Sequence, residues 1–389
     1  MNAIAERLRR IMRRMVRMAG SISAVDGLVS TASGPADSLP IPKFWEANYW
    51  ESTVQLALRD YCRPGDVAFD VGANAGALSV VMARHVGPRG VVCAFEASPR
   101  IIDKTHFNLV HSGCTNIHLF FRAVYHRSHE TVTLYPGHHL NDSIYNNYGA
   151  EGGASYSVET VALDDFVAAT GLIPRIIKMD IEGAEFDALR GAMGILKIAK
   201  PVLVLEQSPS DMRCHELLSD LGYVCVDLAN YRRICSAADF NPGVTIANLL
   251  YVHMDEAKTD RYVNAGDPIE VARLSPDMFA YQPDGSLSLL TYVELPPGRY
   301  SCMAQFSANG TENEIFAGID TDRGRLLRYH TYTKLMAETY RDWTFNIGLT
   351  SRTTPYIQFV KGADPSLIWQ GAVIYRYPGL SGITPPVVF

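Results

Sequence analysis

Seven short, continuously apolar runs, separated by stretches of helical spacing, follow one another between about Phe44 and Met254: Val67–Val71, Val91–Phe95, Ile117–Phe121, Ile176–Ile181, Pro201–Leu205, Tyr223–Leu228 and Ala247–Val252. A strand that alternates apolar and polar residues buries one face, whereas a strand apolar throughout has to be covered on both, as in a parallel sheet between layers of helix. The pattern predicts a doubly wound α/β domain over residues 44–254. Four of the runs close on an acid: Asp70, Glu96, Asp180 and Glu206. The carboxyl ends of the strands line the crevice of such a sheet, so these acids are expected at one cleft. Carboxylates at the edge of an apolar sheet are costly without partners, and a polar ligand is implied.

The turn after the first run reads Asp70-Val71-Gly72-Ala73-Asn74-Ala75-Gly76 and leads into a helical stretch, Ala77–His85. Gly72 lets the backbone approach a ligand, Gly76 lets the helix pack close to the strand, and the helix N-terminus offers N–H groups to an anion. The spacing G-x-x-x-G is neither the G-x-G-x-x-G of a dinucleotide site nor a phosphate loop with its Lys-Ser/Thr. A small anionic group such as an amino-acid carboxylate suits this turn better than a pyrophosphate, which weakens a nicotinamide-dependent oxidoreductase as a reading. Glu96 stands where an acid accepts hydrogen bonds from both hydroxyls of a ribose. Turn and acid together indicate a nucleoside with an amino-acid tail, which describes S-adenosylmethionine.

The fourth run continues as Lys178-Met179-Asp180-Ile181-Glu182-Gly183-Ala184-Glu185. At this point the chain resembles the FkbM family of S-adenosylmethionine-dependent O-methyltransferases. The resemblance is carried by residues 67–76 (VAFDVGANAG), Phe95-Glu96, Leu163-Asp164-Asp165-Phe166, residues 177–185 (IKMDIEGAE), Arg190-Gly191-Ala192 and residues 202–206, in that order, between residues 50 and 254. Where the family has a proline directly after the second-strand acid, this chain has Ala97-Ser98-Pro99. The resemblance implies a Rossmann-like methyltransferase fold and methylation of a hydroxyl on a sugar, glycolipid, polysaccharide or polyketide-type product. It places Asp70, Gly72, Asn74, Gly76 and Glu96 around the cofactor and matches Asp180, Glu182 and Glu185 to the acidic fourth-strand motif.

Methyl transfer from a sulfonium to an alcohol is an in-line displacement in which the alcohol also loses a proton. Asp180, at the end of a central strand, is expected to contact the acceptor, with Glu182 and Glu185 in the first turn of the following helix. Asp180 and Glu206 are also a candidate pair for a divalent cation. Between the third and fourth runs, Thr131–Tyr135 and Tyr156–Val161 alternate like added strands around a Gly- and Asn-rich loop, a candidate lid. It carries His138, His139, Asn141, Asp142 and Ser143; His139 is the candidate base, and Ser143, in a step resembling a Ser-containing segment of the family, a candidate cofactor contact.

Beyond Met254 the runs become short and aromatic-rich, divided by Gly, Pro and Asp, which predicts a smaller all-β, jelly-roll-like sandwich over residues 255–389. Its rings are expected in a core, or in a sugar-binding face that would make the protein a non-catalytic glycan binder on a methyltransferase scaffold. At the other end, arginines 7, 9, 10, 13, 14 and 17 surround Ile4, Leu8, Ile11, Met12 and Met15. Residues 1–20 thus read as a basic amphipathic helix suited to an anionic membrane surface, and residues 21–43 as a linker. The chain as a whole is mildly acidic, with 41 Asp and Glu against 35 Lys and Arg, which argues against nucleic acid as a partner. Its seven cysteines form no C-x-x-C pair, so neither zinc nor a disulfide framework is expected. With no apolar run of 18 residues and no signal-peptide core, a cytoplasmic protein is expected, one that can sit peripherally on a membrane.

Overall fold

The structure is a computed structural model. It describes residues 52–137, 142–145, 155–241, 244–281, 286–289, 295, 298–307, 315–320, 326–329, 341–349, 356–361 and 368–380. The amphipathic segment, the linker, His138, His139 and Asn141 lie outside the described residues.

After helix α1 (Ser52–Tyr61) the chain alternates strand and helix: β1 (Val67–Val71), α2 (Ala77–Val86), β2 (Val91–Glu96), α3 (Ile102–His111) and β3 (Ile117–Phe121). A small excursion, β4 (Ala123–Val124), β5 (Thr131–Leu134) and β6 (Tyr156–Val161), precedes α4 (Leu163–Thr170) and β7 (Ile176–Met179). Then come α5 (Glu185–Arg190), α6 (Met193–Ile198), β8 (Val202–Gln207), α7 (Arg213–Asp220), β9 (Tyr223–Asp227), β10 (Arg233–Ile234) and β11 (Ala247–His253).

The chain divides into two compact units. Leu58–Gln207 and Asp211–Tyr223 make up the described part of the first, whose parallel strands run in the order β8-β7-β1-β2-β3. The continuous apolar runs are explained by burial: β7 is buried at every position, and β1, β2 and β8 at all but one. Phe166 of α4 seals one face, meeting Phe69, Phe95 and Phe120 edge-on at 5.6, 5.1 and 5.0 Å between ring centres. Such pairs add to the burial of apolar area.

From β1 the sheet grows outward through β2 and β3, and β7 and β8 lie on the other side, so the order reverses between β1 and β7. That switch point is where a doubly wound sheet opens its crevice. The expected added strands form a three-stranded sheet, β4-β6-β5, and an isolated bridge pairs Tyr135 with Ser143.

The second unit holds the described residues between Val224 and Leu380, with residues 52–57 and Ser208–Ser210. It includes nearly all of β9 to β11, which the sequence pattern groups with the α/β domain. An aromatic cluster explains the grouping: Tyr231 packs edge-on against Tyr262 and Tyr377 at 5.4 and 4.6 Å. Beyond helix α8 (Met254–Ala257) come β12 (Ile269–Leu274), β13 (Phe279–Tyr281), β14 (Ser286–Leu289), β15 (Gly298–Ser307) and β16 (Ile315–Asp320), followed by β17 (Leu326–Tyr329), β18 (Arg341–Leu349), β19 (Tyr356–Lys361) and β20 (Ile368–Arg376). They form a four-stranded sheet, β12-β20-β15-β18, and a five-stranded sheet, β13-β14-β19-β16-β17, with every paired register antiparallel. An all-β continuation is therefore present. No described helix is long and apolar enough to cross a membrane.

Candidate active site

At the switch point, β1 runs into the glycine turn. Gly72 and Ala73 donate their N–H groups to the Phe95 carbonyl at 3.0 and 2.9 Å, which turns the chain across the end of β2. Gly72 has φ 79°, and a Cβ there would fall 1.8 Å from the Asp180 carbonyl oxygen, so only glycine fits. Asn74 (φ 47°) and Gly76 (φ 87°) complete the turn, and Gly76 opens α2 with no side chain capping it. Helix α3 holds the turn from outside: the Thr105 hydroxyl donates to the Asn74 carbonyl, and Asn108 Nδ2 donates to the Ala75 carbonyl at 2.8 Å. Neither residue stands out in the sequence, because each acts on carbonyls some thirty residues away.

Glu96 closes β2. Its Oε2 accepts from the Asn74 N–H and its Oε1 from the Ser98 N–H, both at 2.7 Å. Burial pushes this carboxyl above its ordinary range, against the pull of those N–H groups. The Ala97 N–H lowers it as well, so Glu96 is a carboxylate held by backbone N–H groups at the end of its strand.

Gly72, Asn74 and Glu96 line an open cavity, together with Asp180 and Glu182. Ala123, Val124, Leu134 and Ile144 make the wall, so the excursion between β3 and β7 builds one side of the site. Within that excursion a strap, residues 142–145, is tied at three points. Asp142 accepts from Arg100 Nη1 at 2.6 Å and from the Ser98 hydroxyl at 2.5 Å. The Ser143 hydroxyl donates to the Glu182 carbonyl at 2.8 Å, and the Tyr145 hydroxyl to Asp187 Oδ2 at 2.5 Å.

The acids expected at one cleft are sorted by the structure. Glu96 and Asp180 line the cavity. Asp70 does not: it is 0 % exposed, its Oδ2 accepts from Ser79 Oγ at 2.5 Å, and burial pushes its carboxyl upward. Gly76 is likewise behind the lining, its missing Cβ replaced by Leu109 Cδ2 at 2.7 Å, and Ser143 fastens the strap while Asp142 and Ile144 face the cavity. β7 stops at Met179, which puts Asp180 in the turn, and Glu206 lies inside β8, which runs on to Gln207.

Glu182 does not begin the following helix, as the sequence pattern expects; it occupies the turn before it with φ 56°. There burial, reinforced by Asp180 and Glu185, raises its carboxyl to about 7. Glu185 is the helix's first residue and does not line the cavity. Its Oε1 accepts from the Ile181 N–H at 2.8 Å, and burial raises it also to about 7. Asp180, Glu182 and Glu206 bring one carboxylate oxygen each to within 4.8 Å of the others. The candidate cation pair, Asp180 and Glu206, thus stands together with a third acid.

Asp142 of the expected lid lines the cavity, and so does Arg122, which carries no motif. The Leu163-Asp164-Asp165-Phe166 motif acts structurally: Asp164 accepts from the N–H groups of Gly194 and Ile195 at 2.7 and 2.9 Å, capping α6, and Phe166 packs the core.

A sequence model described as the methyltransferase FkbM domain matches residues 70–225. No curated protein matches the chain. Among solved structures, similarity is found to a methyltransferase FkbM from Methylobacillus flagellatus (14 % identity, TM-score 0.34, 55 % of this chain and 58 % of that one). Similarity is also found to precorrin-6y C5,15-methyltransferase from Geobacter metallireducens (17 %, 0.32, 51 % and 86 %) and to Aeropyrum pernix fibrillarin in complex with S-adenosyl-L-methionine (14 %, 0.33, 54 % and 76 %). The matched span runs from Asp70 through the glycine turn, Glu96 and the fourth-strand acids, and over residues 70–225 this chain is similar to the methyltransferase FkbM domain.

Proposed function

We propose that the chain is an O-methyltransferase acting on a hydroxyl of a sugar, glycolipid or polysaccharide. The observation that supports this most is the pairing, across one cavity, of a glycine turn and Glu96 with Asp180 and Glu182. The residues present fit S-adenosylmethionine: Gly72 and Asn74 bring the backbone of a glycine turn to the cavity, and the Glu96 carboxylate lines it beside them as an acceptor for ribose hydroxyls. When bound, this cofactor supplies an electrophilic methyl group on a cationic sulfonium.

The chain's own residues do the rest. Glu96, Asp142, Asp180 and Glu182 against Arg122 make the lining predominantly acidic, which favours a cationic ligand and disfavours the phosphates of a dinucleotide. Glu182, raised to about 7, is matched to accepting an alcohol's proton near neutral pH, and Asp180 beside it to orienting the hydroxyl. His139 is a second candidate base. Incubation with methyl-labelled S-adenosylmethionine and a panel of glycans, glycolipids and polyketide alcohols, read by mass spectrometry, tests the reading. Label is expected as a methyl ether on a sugar hydroxyl, with turnover lowered about 100-fold in Glu182→Gln, the size of a general-base contribution. Label found only on nitrogen, carbon or a polyketide oxygen overturns it.

A further inference from the structure

Lys178 is the third residue of β7, a strand in the middle of the sheet, and its side chain is 5 % exposed. An ammonium in such a place is tolerated only where partners replace its water. The register sets it beside Asp70 on the neighbouring β1, on the same face of the sheet. Its Nζ stands 3.8 Å from Asp70 Oδ1, and it also reaches past Asp70, donating to the Gly72 carbonyl at 3.1 Å and to Asp180 Oδ2 at 3.4 Å. A lysine serving only as counter-ion to Asp70 needs neither of these last two bonds.

Those bonds join the two turns that meet at the switch point. The Asp180 N–H donates to the Val71 carbonyl at 3.0 Å, and the Gly72 Cα lies against the Asp180 carbonyl. Gly72 and Asp180 both line the cavity, and Lys178 lies behind them. On the far side Asp70 is held by Ser79 of α2, so one chain of contacts runs from α2 through Asp70 and Lys178 to Asp180.

We propose that Lys178 is a positioning residue of the cofactor site: it fixes the Gly72 carbonyl and the Asp180 carboxylate in one arrangement, and thereby sets the floor on which S-adenosylmethionine lies. This rests on the cofactor reading above. Lys178 touches neither cofactor nor acceptor and acts through the two groups it holds.

The test is calorimetric titration of S-adenosylmethionine into the full chain, Asp70→Asn, Lys178→Met and the double variant, with thermal unfolding of each. Lys178→Met leaves Asp70 buried without its cation, and is expected to be less stable and to bind weakly. The double variant removes both charges, so its unfolding temperature is expected to return toward that of Asp70→Asn. Its affinity is expected to stay about tenfold or more below that of Asp70→Asn, the loss of charge-assisted ties. Affinity equal to Asp70→Asn overturns the proposal and leaves Lys178 a counter-ion. A double variant that fails to fold also overturns it, because the lysine is then required by the fold itself. No binding by the native chain overturns the cofactor reading and this proposal with it, whereas native binding with an unaffected double variant overturns this proposal alone.

Discussion

Glu182 carries its negative charge at a position that burial and two neighbouring acids make unfavourable, which raises its carboxyl from 4.5 to about 7. Below about 4.5 it is neutral in both the folded and unfolded chain; between the two values only the unfolded chain loses the proton; above about 7 both have lost it. Its contribution to stability is therefore fully present below about 4.5 and is lost as the pH rises through about 7. Glu182→Gln is expected to unfold at a higher temperature than the native chain at pH 8, with the gap closing at pH 5; a gap independent of pH would contradict this. At Gly72, a substitution to Ala meets both the Asp180 carbonyl and φ 79°. Several kcal/mol of strain is expected there, lowering the unfolding midpoint by about 10 °C or more in a circular-dichroism melt. Both glycines of the turn and Glu96 are legible in the sequence because their roles follow from residue type. The burial of Asp70 is not, since it depends on which face of β1 meets Lys178 on a strand over a hundred residues away. The left-handed backbone of Glu182 is hidden for a similar reason, for nothing local marks a non-glycine residue in that region.

Among the elements, the parallel strands are readable from their continuous apolar runs because a strand covered on both faces needs no alternation to be seen. Their ends were not: β7 stops before Asp180 because the chain turns there against Val71, a long-range backbone contact. The strap of residues 142–145 shows as a loop in the sequence, and its importance comes from ties to Arg100, Glu182 and Asp187, none of them nearby in the chain. In β12 the exposed pattern gives no apolar run to detect. The Leu163-Asp164-Asp165-Phe166 motif, which helps to mark the family, belongs to packing and capping. Asp164→Ala removes two bonds at the start of α6 and is expected to cost about 1 kcal/mol, or 2–4 °C in a thermal melt, with the affinity for S-adenosylmethionine unchanged. A loss of affinity without a loss of stability would place that residue in the site instead.

For the whole molecule, charge is unevenly distributed: the chain is acidic overall, its cavity lining more so, while its first twenty residues are dense in arginine. We propose that residues 1–20 bring the enzyme to anionic membranes, where glycolipid acceptors reside. Vesicles containing anionic lipid are expected to sediment the full chain and not a chain lacking residues 1–20, and equal sedimentation would contradict this. The all-β continuation is legible in its short aromatic runs, and the role of its rings is not, because rings on alternating strands read alike whether they face a core or a ligand.

The central claim is that the glycine turn and Glu96 form a site for S-adenosylmethionine. Calorimetric titration of S-adenosylmethionine into the native chain and into Glu96→Ala, with NAD as the control, tests it most directly. The account predicts saturable binding of S-adenosylmethionine alone, weakened about tenfold or more in Glu96→Ala as charge-assisted hydrogen bonds are lost. Binding of NAD in its place, or S-adenosylmethionine binding indifferent to Glu96, would contradict it.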